Sequence, residues 1–401
     1  MFGFYDRVEV DYIVNGAAQG AMGDRLAAVE YDAGALRPVI DGDGGKYVFM
    51  KTGHMVKNAA GREVPEREPV PLGRMIANGL VPPILNASAL PYQAWQKIDQ
   101  AVARATRDRL NAWNDLAAAN TYGGFDGMSV TGIIKDTMTD AGDAKVDMDT
   151  LSNDLNDAPL YTPDILPLPI IHAGFHLSAR RLAVSRNSGM PLDTTLSESC
   201  ARRCAETLEK MTIGYTDFSG LTIGGSDFTN KGIYGFRTQP DRITKSDVTA
   251  TAGFVASTFV TDVIAMKELA RAQKYFGPFN LYYSTGWDQY LARDYYATAT
   301  AAGVVAPTKT VLERVQMIQG ISKVSILDMF TNTDELLLVQ MNSDTVRAVM
   351  GMDWTTVQIP DPHGDGVAMR VMGIMVPDLR SQYVGQSISS RKCGIVHGTT
   401  S

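Results

Sequence analysis

The chain has 401 residues, 45% hydrophobic and 20% charged, enough for two sub-domains with sizeable cores. Its formal net charge of -7 argues against a nucleic-acid-reading surface, which is normally basic. Three cysteines (Cys200, Cys204, Cys393) give no disulfide framework, and no apolar run reaches bilayer length, so the chain reads as a soluble product of a reducing cytoplasm.

The opening MFGFYDRVEVDY lacks a basic-then-apolar leader. Met1 to about Leu80 is rich in Gly, Asp and Pro, with little helical periodicity. It reads as an extended arm that buries little apolar surface by itself, with β pieces at Lys46–Lys51 and Arg67–Leu72. Tyr92–Ala119 reads as helix. Trp95, Ile98 and Val102, then Leu110, Trp113 and Leu116, recur at helical spacing, with a bend within Asp108–Asn114. A β piece near Asn120–Tyr122 follows. Gly123 to about Leu160 is polar and carries the acidic run DAGDAKVDMDTLSNDLNDAP. A loop this long in a compact domain is usually functional, and its β character concentrates at Gly132–Thr137 and Ala144–Asp147.

The segment IIHAGFHLS reads as a strand, and a polar elbow lies around Gly189–Asp193. Leu192–Gly214 is the best-defined helix. Thr195 with Glu198 forms a capping box, Leu196, Cys200, Cys204, Leu208 and Met211 share the apolar face with Ala201 and Ala205 beside them, and Gly214 is the stop. Glu198, Arg202, Arg203, Glu206, Glu209 and Lys210 take the rest of that helix. A Gly-rich turn leads to Gly232-Ile233. Gly253–Phe276 is helical, Gly277-Pro278-Phe279 breaks it, Asn280–Ser284 is a strand, and Gly286–Tyr296 and Val311–Ile318 are short helices. Lys323–Met329 and Glu335–Met341 read as a hairpin around Thr331–Asp334. Thr345–Met352, Trp354–Pro360 and Val367–Val376 read as strands, the last two joined by a tight turn at Asp361–Gly366.

Chemistry-bearing patterns are incomplete. His172 and His176 lie four apart in a strand-like context, without the further ligands that zinc needs. Cys200 and Cys204 sit on an apolar helix face, where cysteine packs as a small hydrophobe. Gly224-Gly225-Ser226 lacks the phosphate-loop pattern, and no G-x-S-x-G elbow occurs. The acidic run lacks the spacing of a calcium loop. No catalytic, cofactor-binding or metal site is assigned. Arg180, Arg181 and Arg186 cluster in sequence with Arg202 and Arg203.

The order of elements in Tyr161–Phe236 (strand, elbow, long helix, Gly-rich turn) resembles the encapsulins and the tailed-phage major capsid proteins that share the Hong Kong 97-like fold. SALPYQAWQKIDQAVARATRDRL resembles the encapsulin start. The helix, GPF break, strand and aromatic helix of 253–296 resemble its apical domain, and Met350–Trp354 sits where a Gly-X-Asp element precedes the returning strands. The resemblance implies an α+β fold partitioned as an N-terminal arm (1–84), a first peripheral part (85–122), an extended β loop (123–165) and a peripheral domain with a spine helix at about 192–214 (166–245). An apical domain (246–343), returning strands (344–385) and a tail (386–401) complete it.

It further implies a major capsid protein whose hexamers and pentamers close an icosahedral head around the genome of a tailed double-stranded DNA phage. Such a wall encloses DNA without sequence-specific binding, and its mildly acidic balance repels phosphate. The implied location is the virion, after assembly in the bacterial host cytoplasm, with scaffold, portal and decoration proteins as further partners and no membrane. Inter-subunit contacts are expected at Lys135 and Lys145 in the long loop and at Arg202 and Arg203, which pair with an acidic loop of a neighbour. No matching Asn or activating acid supports a covalent cross-link. Two alternatives remain at this stage: an encapsulin-type nanocompartment shell, and a hydrolase or metalloenzyme using His172 and His176.

Overall fold

A computed structural model describes residues 37–40, 45–57, 63–77, 90–107, 110–139, 148, 161–178, 180, 194–214, 233–295, 309–330, 334–359, 366–383 and 391–400. Strands β1 (Val39–Ile40), β2 (Lys46–Lys57) and β3 (Glu63–Pro71) are followed by helix α1 (Leu72–Ala77) and β4 (Leu90–Pro91). They form a sheet of order β3-β2-β1-β4. Pro65, Pro69 and Pro71 cannot donate to a ladder, which suits β3 to the edge it occupies. The sheet is tethered to the body by Trp95, whose Nε1 donates to Pro38 O at 3.1 Å, and by an Arg37–Asp99 ion pair at 2.6 Å.

The expected Tyr92–Ala119 helix is two helices, α2 (Tyr92–Arg107) and α3 (Asn111–Ala119), so the bend is a break at Leu110. Then come β5 (Thr121–Tyr122) and a hairpin of β6 (Gly132–Met138) and β7 (Tyr161–Pro167), paired from Gly132–Pro167 out to Met138–Tyr161. The expected Ala144–Asp147 strand, the 189–193 elbow and the 219–226 turn lie outside the described residues. β8 (Ile171–Ser178) leads to α4 (Thr195–Ile213).

The capping box expected at Thr195 does not form. Thr194 is the N-cap, and its hydroxyl donates to the Glu198 carboxylate at 3.2 Å instead of accepting a backbone N–H. Gly214 ends α4 in the left-handed region (φ 101°), and its N–H donates to Lys210 O. The buried face of α4 contains Cys204, Leu208 and Met211 of the expected face, with Ala201 and Ala205 beside them, and departs from it at Leu196 and Cys200 and by adding Glu209 and Thr212. Ala201, Cys204, Ala205, Leu208, Glu209 and Thr212 are buried, while Leu196 is 39% exposed.

Next are β9 (Ile243–Lys245), α5 (Ala256–Ala272), β10 (Phe279–Ser284), α6 (Thr285–Leu291), α7 (Val311–Gln316), β11 (Ile321–Leu327) and β12 (Glu335–Gln340). β13 (Val346–Ile359), β14 (Gly366–Leu379), β15 (Ser381–Tyr383), β16 (Arg391–Cys393) and β17 (Ile395–Thr399) follow. The hairpin expected from Lys323–Met329 and Glu335–Met341 is absent. β10 lies between β11 and β12, parallel to the first and antiparallel to the second, in a sheet of order β11-β10-β12-β17-β9. The reason is burial: every residue of β12 is buried, so it needs partners on both edges, whereas β11 exposes Ser322 and Lys323 and serves as an edge.

The two strands expected at Thr345–Met352 and Trp354–Pro360 are one strand, β13, with register shifts after Met350 and Met352. The irregularity coincides with a close backbone approach, in which Gly127 N donates to Gly351 O at 3.2 Å and a Cβ on Gly351 would lie 2.8 Å from Gly127 Cα.

Two cores result. The first joins α2, α3 and α4 to the sheet β5-β13-β14-β8 through Trp95, Trp113, Leu116, Leu208, Met369 and Val371. The second packs Phe259, Val263 and Met266 of α5, Trp287 of α6 and Val311 of α7 on the five-stranded sheet. That sheet serves both cores, because side chains alternate along each strand. Leu281, Tyr283, Leu336 and Leu338 point into the second core, and Tyr282, Leu337 and Val339 into the first.

Candidate functional site

α4 packs across β8 and β14 through its alanines and Cys204, which lets helix and sheet approach closely. Its outer face and the β8 edge enclose a groove of about 820 Å³. One wall carries Arg202, Arg203, Glu206, Thr207 and Lys210, and the other carries His172. Arg202 and Arg203 are exposed, and among the described residues neither guanidinium makes a hydrogen bond or ion pair. The structure therefore brings two of the sequence-flagged arginines to one binding-shaped surface and adds His172 from a distant strand.

His172 and His176 are both exposed on β8, an edge strand. Only His172 lines the groove, and no cluster of three or more metal-ligating side chains occurs among the described residues. The cysteines are free thiols. Burial pushes Cys204 up to about 12, with Cys200 adding to the rise, and burial likewise pushes Cys393 up to about 12. Cys200 is also raised by burial, partly opposed by the Arg203 charge. Thiols held protonated in this way are packing groups.

Lys135 lies on β6 and forms an ion pair with Asp378 of its own chain, both side chains largely buried. Two more contacts tie β7 to the body: the Tyr383 hydroxyl with Thr162 Oγ1 at 3.0 Å, near the Met138–Tyr161 end, and Arg391 donating to Asp164 at 3.2 Å, midway along the hairpin. The far end of the hairpin leaves Met138 51% and Tyr161 63% exposed. Lys145 lies outside the described residues.

Glu209, read from sequence as part of the polar face, is buried and accepts hydrogen bonds from Ala112 N (2.7 Å) and Trp113 N (3.1 Å), capping α3 from another helix. Its spacing of four and eight from Ala205 and Ala201 was the available signal. Burial raises its pKa, and the backbone N–H groups oppose the rise. One turn on, Asp115 accepts from Tyr282 (3.1 Å) and Lys323 (2.5 Å), tying α3 to the five-stranded sheet.

A family model described as a family of unknown function (DUF6260) matches residues 86–390. The chain belongs to that family. No curated protein matches it. Among solved structures, the crystal structure of a virus-like particle from Pyrococcus furiosus is similar at TM-score 0.51 and 12% identity, covering 76% of this chain and 98% of that one. The capsid of the Myoviridae phage XM1 is similar at TM-score 0.50 and 9% identity, covering 71% and 90%. This DUF6260 chain therefore has the α+β, Hong Kong 97-like fold of these shells. No described helix is long and apolar enough to cross a membrane.

Proposed function

We propose that the chain is a major capsid protein, the repeating subunit of the icosahedral head of a tailed double-stranded DNA phage. The single observation that carries this reading is the fold, shared over 98% of a virus-like particle chain and 90% of a phage capsid chain. A shell subunit needs a rigid body and surfaces for neighbours. The two cores supply the first. Exposed Phe276 (69%), Met317 (58%) and Val255 (51%) on the α5–α7 unit, with Met138 and Tyr161 on the hairpin, are suited to contacts that close by symmetry. The role is structural, the subunits form hexamers and pentamers, and the acidic wall encloses DNA without reading its sequence. Assembly takes place in the bacterial cytoplasm, with scaffold, portal and decoration proteins as further partners.

Expression of the chain alone, followed by size exclusion and negative-stain electron microscopy, tests the reading. Hollow closed particles or hexamer sheets are expected. A homogeneous monomer or dimer at every salt and protein concentration, with and without a co-expressed scaffold, overturns it. A compartment shell is the second reading, favoured by the near-complete coverage of the Pyrococcus furiosus chain. Particle contents separate the two, nucleic acid for a phage head and enclosed protein for a compartment.

A further inference from the structure

We propose that the groove between α4 and β8 binds a phosphate ester borne on a flat apolar group, the chemistry of a nucleotide. The inference goes beyond the shell reading and does not depend on it. Arg202, Arg203 and Lys210 from α4 and His172 from β8 line the groove, against one carboxylate, Glu206. The chain as a whole has a net charge of -7, so this positive balance is local. Glu206 lies four residues after Arg202 and three after Arg203, the spacings at which opposite charges on a helix pair. Among the described residues it pairs with neither, and neither guanidinium has another hydrogen-bond or ion-pair partner. Two forks of donors are therefore available to an incoming anion.

The kind of anion follows from where the donors stand. Successive residues on a helix diverge by about 100°, so Arg202 and Arg203 approach the groove from two directions. One guanidinium fork satisfies a carboxylate, whereas the three free oxygens of a phosphate monoester accept from both. Much of the remaining lining is apolar. Ile171, Cys204 and Met211 are buried in it, and Ile170 stands 44% exposed. Burial holds the Cys204 thiol protonated, so it sets no negative charge beside a phosphate. At about 820 Å³ the groove has the size of small-ligand sites, with room for a base and sugar beside the phosphate. An acidic peptide fits less well. An extended one would add to the β8 edge, and Pro169 in the lining has no N–H to offer it.

The same chemistry comes from a free mononucleotide or from the phosphorylated end of a nucleic-acid strand, and experiment separates the two. The full chain is titrated by calorimetry with adenosine monophosphate, inorganic phosphate and a short single strand with and without a 5′-phosphate. Adenosine monophosphate is expected to bind in a salt-sensitive manner and more tightly than inorganic phosphate. The R202Q/R203Q chain is expected to bind it at least about tenfold more weakly, the scale of lost charge-assisted hydrogen bonds. Ile170→Ser is expected to weaken adenosine monophosphate and leave inorganic phosphate unchanged, because only the nucleoside uses the apolar lining. Binding of the strand only when it carries the 5′-phosphate assigns a strand end as the source, and binding of the mononucleotide but of neither strand assigns the free ligand.

Equal binding of adenosine monophosphate to the native and R202Q/R203Q chains overturns the proposal. So does affinity no higher than that of inorganic phosphate, or no binding at all. A polyglutamate peptide that binds through the arginines while the nucleotide does not assigns the groove to an acidic protein and also overturns it. Both arginines are exposed, and far-UV circular dichroism reports whether the variants fold. Particle formation is read separately by electron microscopy. Chains that assemble without binding nucleotide remove this site and leave the shell reading standing, and chains that bind nucleotide without ever assembling do the reverse.

Discussion

Glu209 joins two helices through one carboxylate. The first four N–H groups of a helix lack intrahelical partners, and here a side chain from α4 satisfies two of them on α3. Removing it leaves buried donors orphaned, so Glu209→Ala is expected to cost about 2–3 kcal/mol in urea unfolding, and Glu209→Gln less. Burial raises the native pKa above the unfolded value. The contribution of this proton is therefore full below the unfolded pKa and declines as pH rises through the native one. The stability advantage of wild type over Glu209→Gln should shrink across that window, measured as paired unfolding curves at stepped pH. Gly351 makes a second residue-scale case. A methyl there meets Gly127 Cα at 2.8 Å and Ile374 Cγ2 at 3.2 Å. Gly351→Ala is expected to cost about 1–3 kcal/mol by overpacking, read as a lowered melting temperature. The sequence showed that α4 exists and most of the face it buries, but not that Glu209 belongs to that face.

The hairpin of β6 and β7 is held along its outer half by Lys135–Asp378, Thr162–Tyr383 and Asp164–Arg391. Deleting either partner of the first pair strands a largely buried charge, an effect of about 3–5 kcal/mol for fully buried pairs and less here. Lys135→Ala and Asp378→Ala should each destabilise, and the double variant should cost less than their sum, as a double-mutant cycle in urea would show. These contacts join residues far apart in sequence, so composition alone placed Lys135 in a loop without revealing its partner. The same limit explains the missed strand order. An ELLLVQ run after a turn-like TNTD reads as half of a local hairpin, yet its burial on both faces selects β10 and β17 as neighbours. What was legible were elements with strong period or punctuation, such as α5, the GPF break and β10. Hydrogen exchange should accordingly be slowest in β10 and β12 and faster in the edge strand β11.

A chain with a net charge of -7 whose Arg202 and Arg203 have no hydrogen-bond or ion-pair partner among the described residues separates its charges in space, an arrangement suited to register between partners. If the shell reading holds, particles should melt at a higher temperature than isolated subunits, and the isolated subunits' melting temperature should rise with concentration by mass action. Calorimetry over a dilution series checks this. The fold frame was legible as an order of elements, whereas the groove was not, since its walls come from a strand and a helix whose packing no local pattern records.

The five-stranded sheet has a consequence for synthesis. β12 is made well before β17, which pairs along its second edge and is the last strand among the described residues. While a ribosome is still extending the chain, that edge offers unpaired N–H and C=O groups and the Leu337 and Val339 face lacks the cover of Ile395. The sheet shared by both cores cannot close until Thr399 has emerged. A nascent chain thus lacks its finished body, and, on the shell reading, translation itself sets the earliest moment at which a subunit is fit to be added.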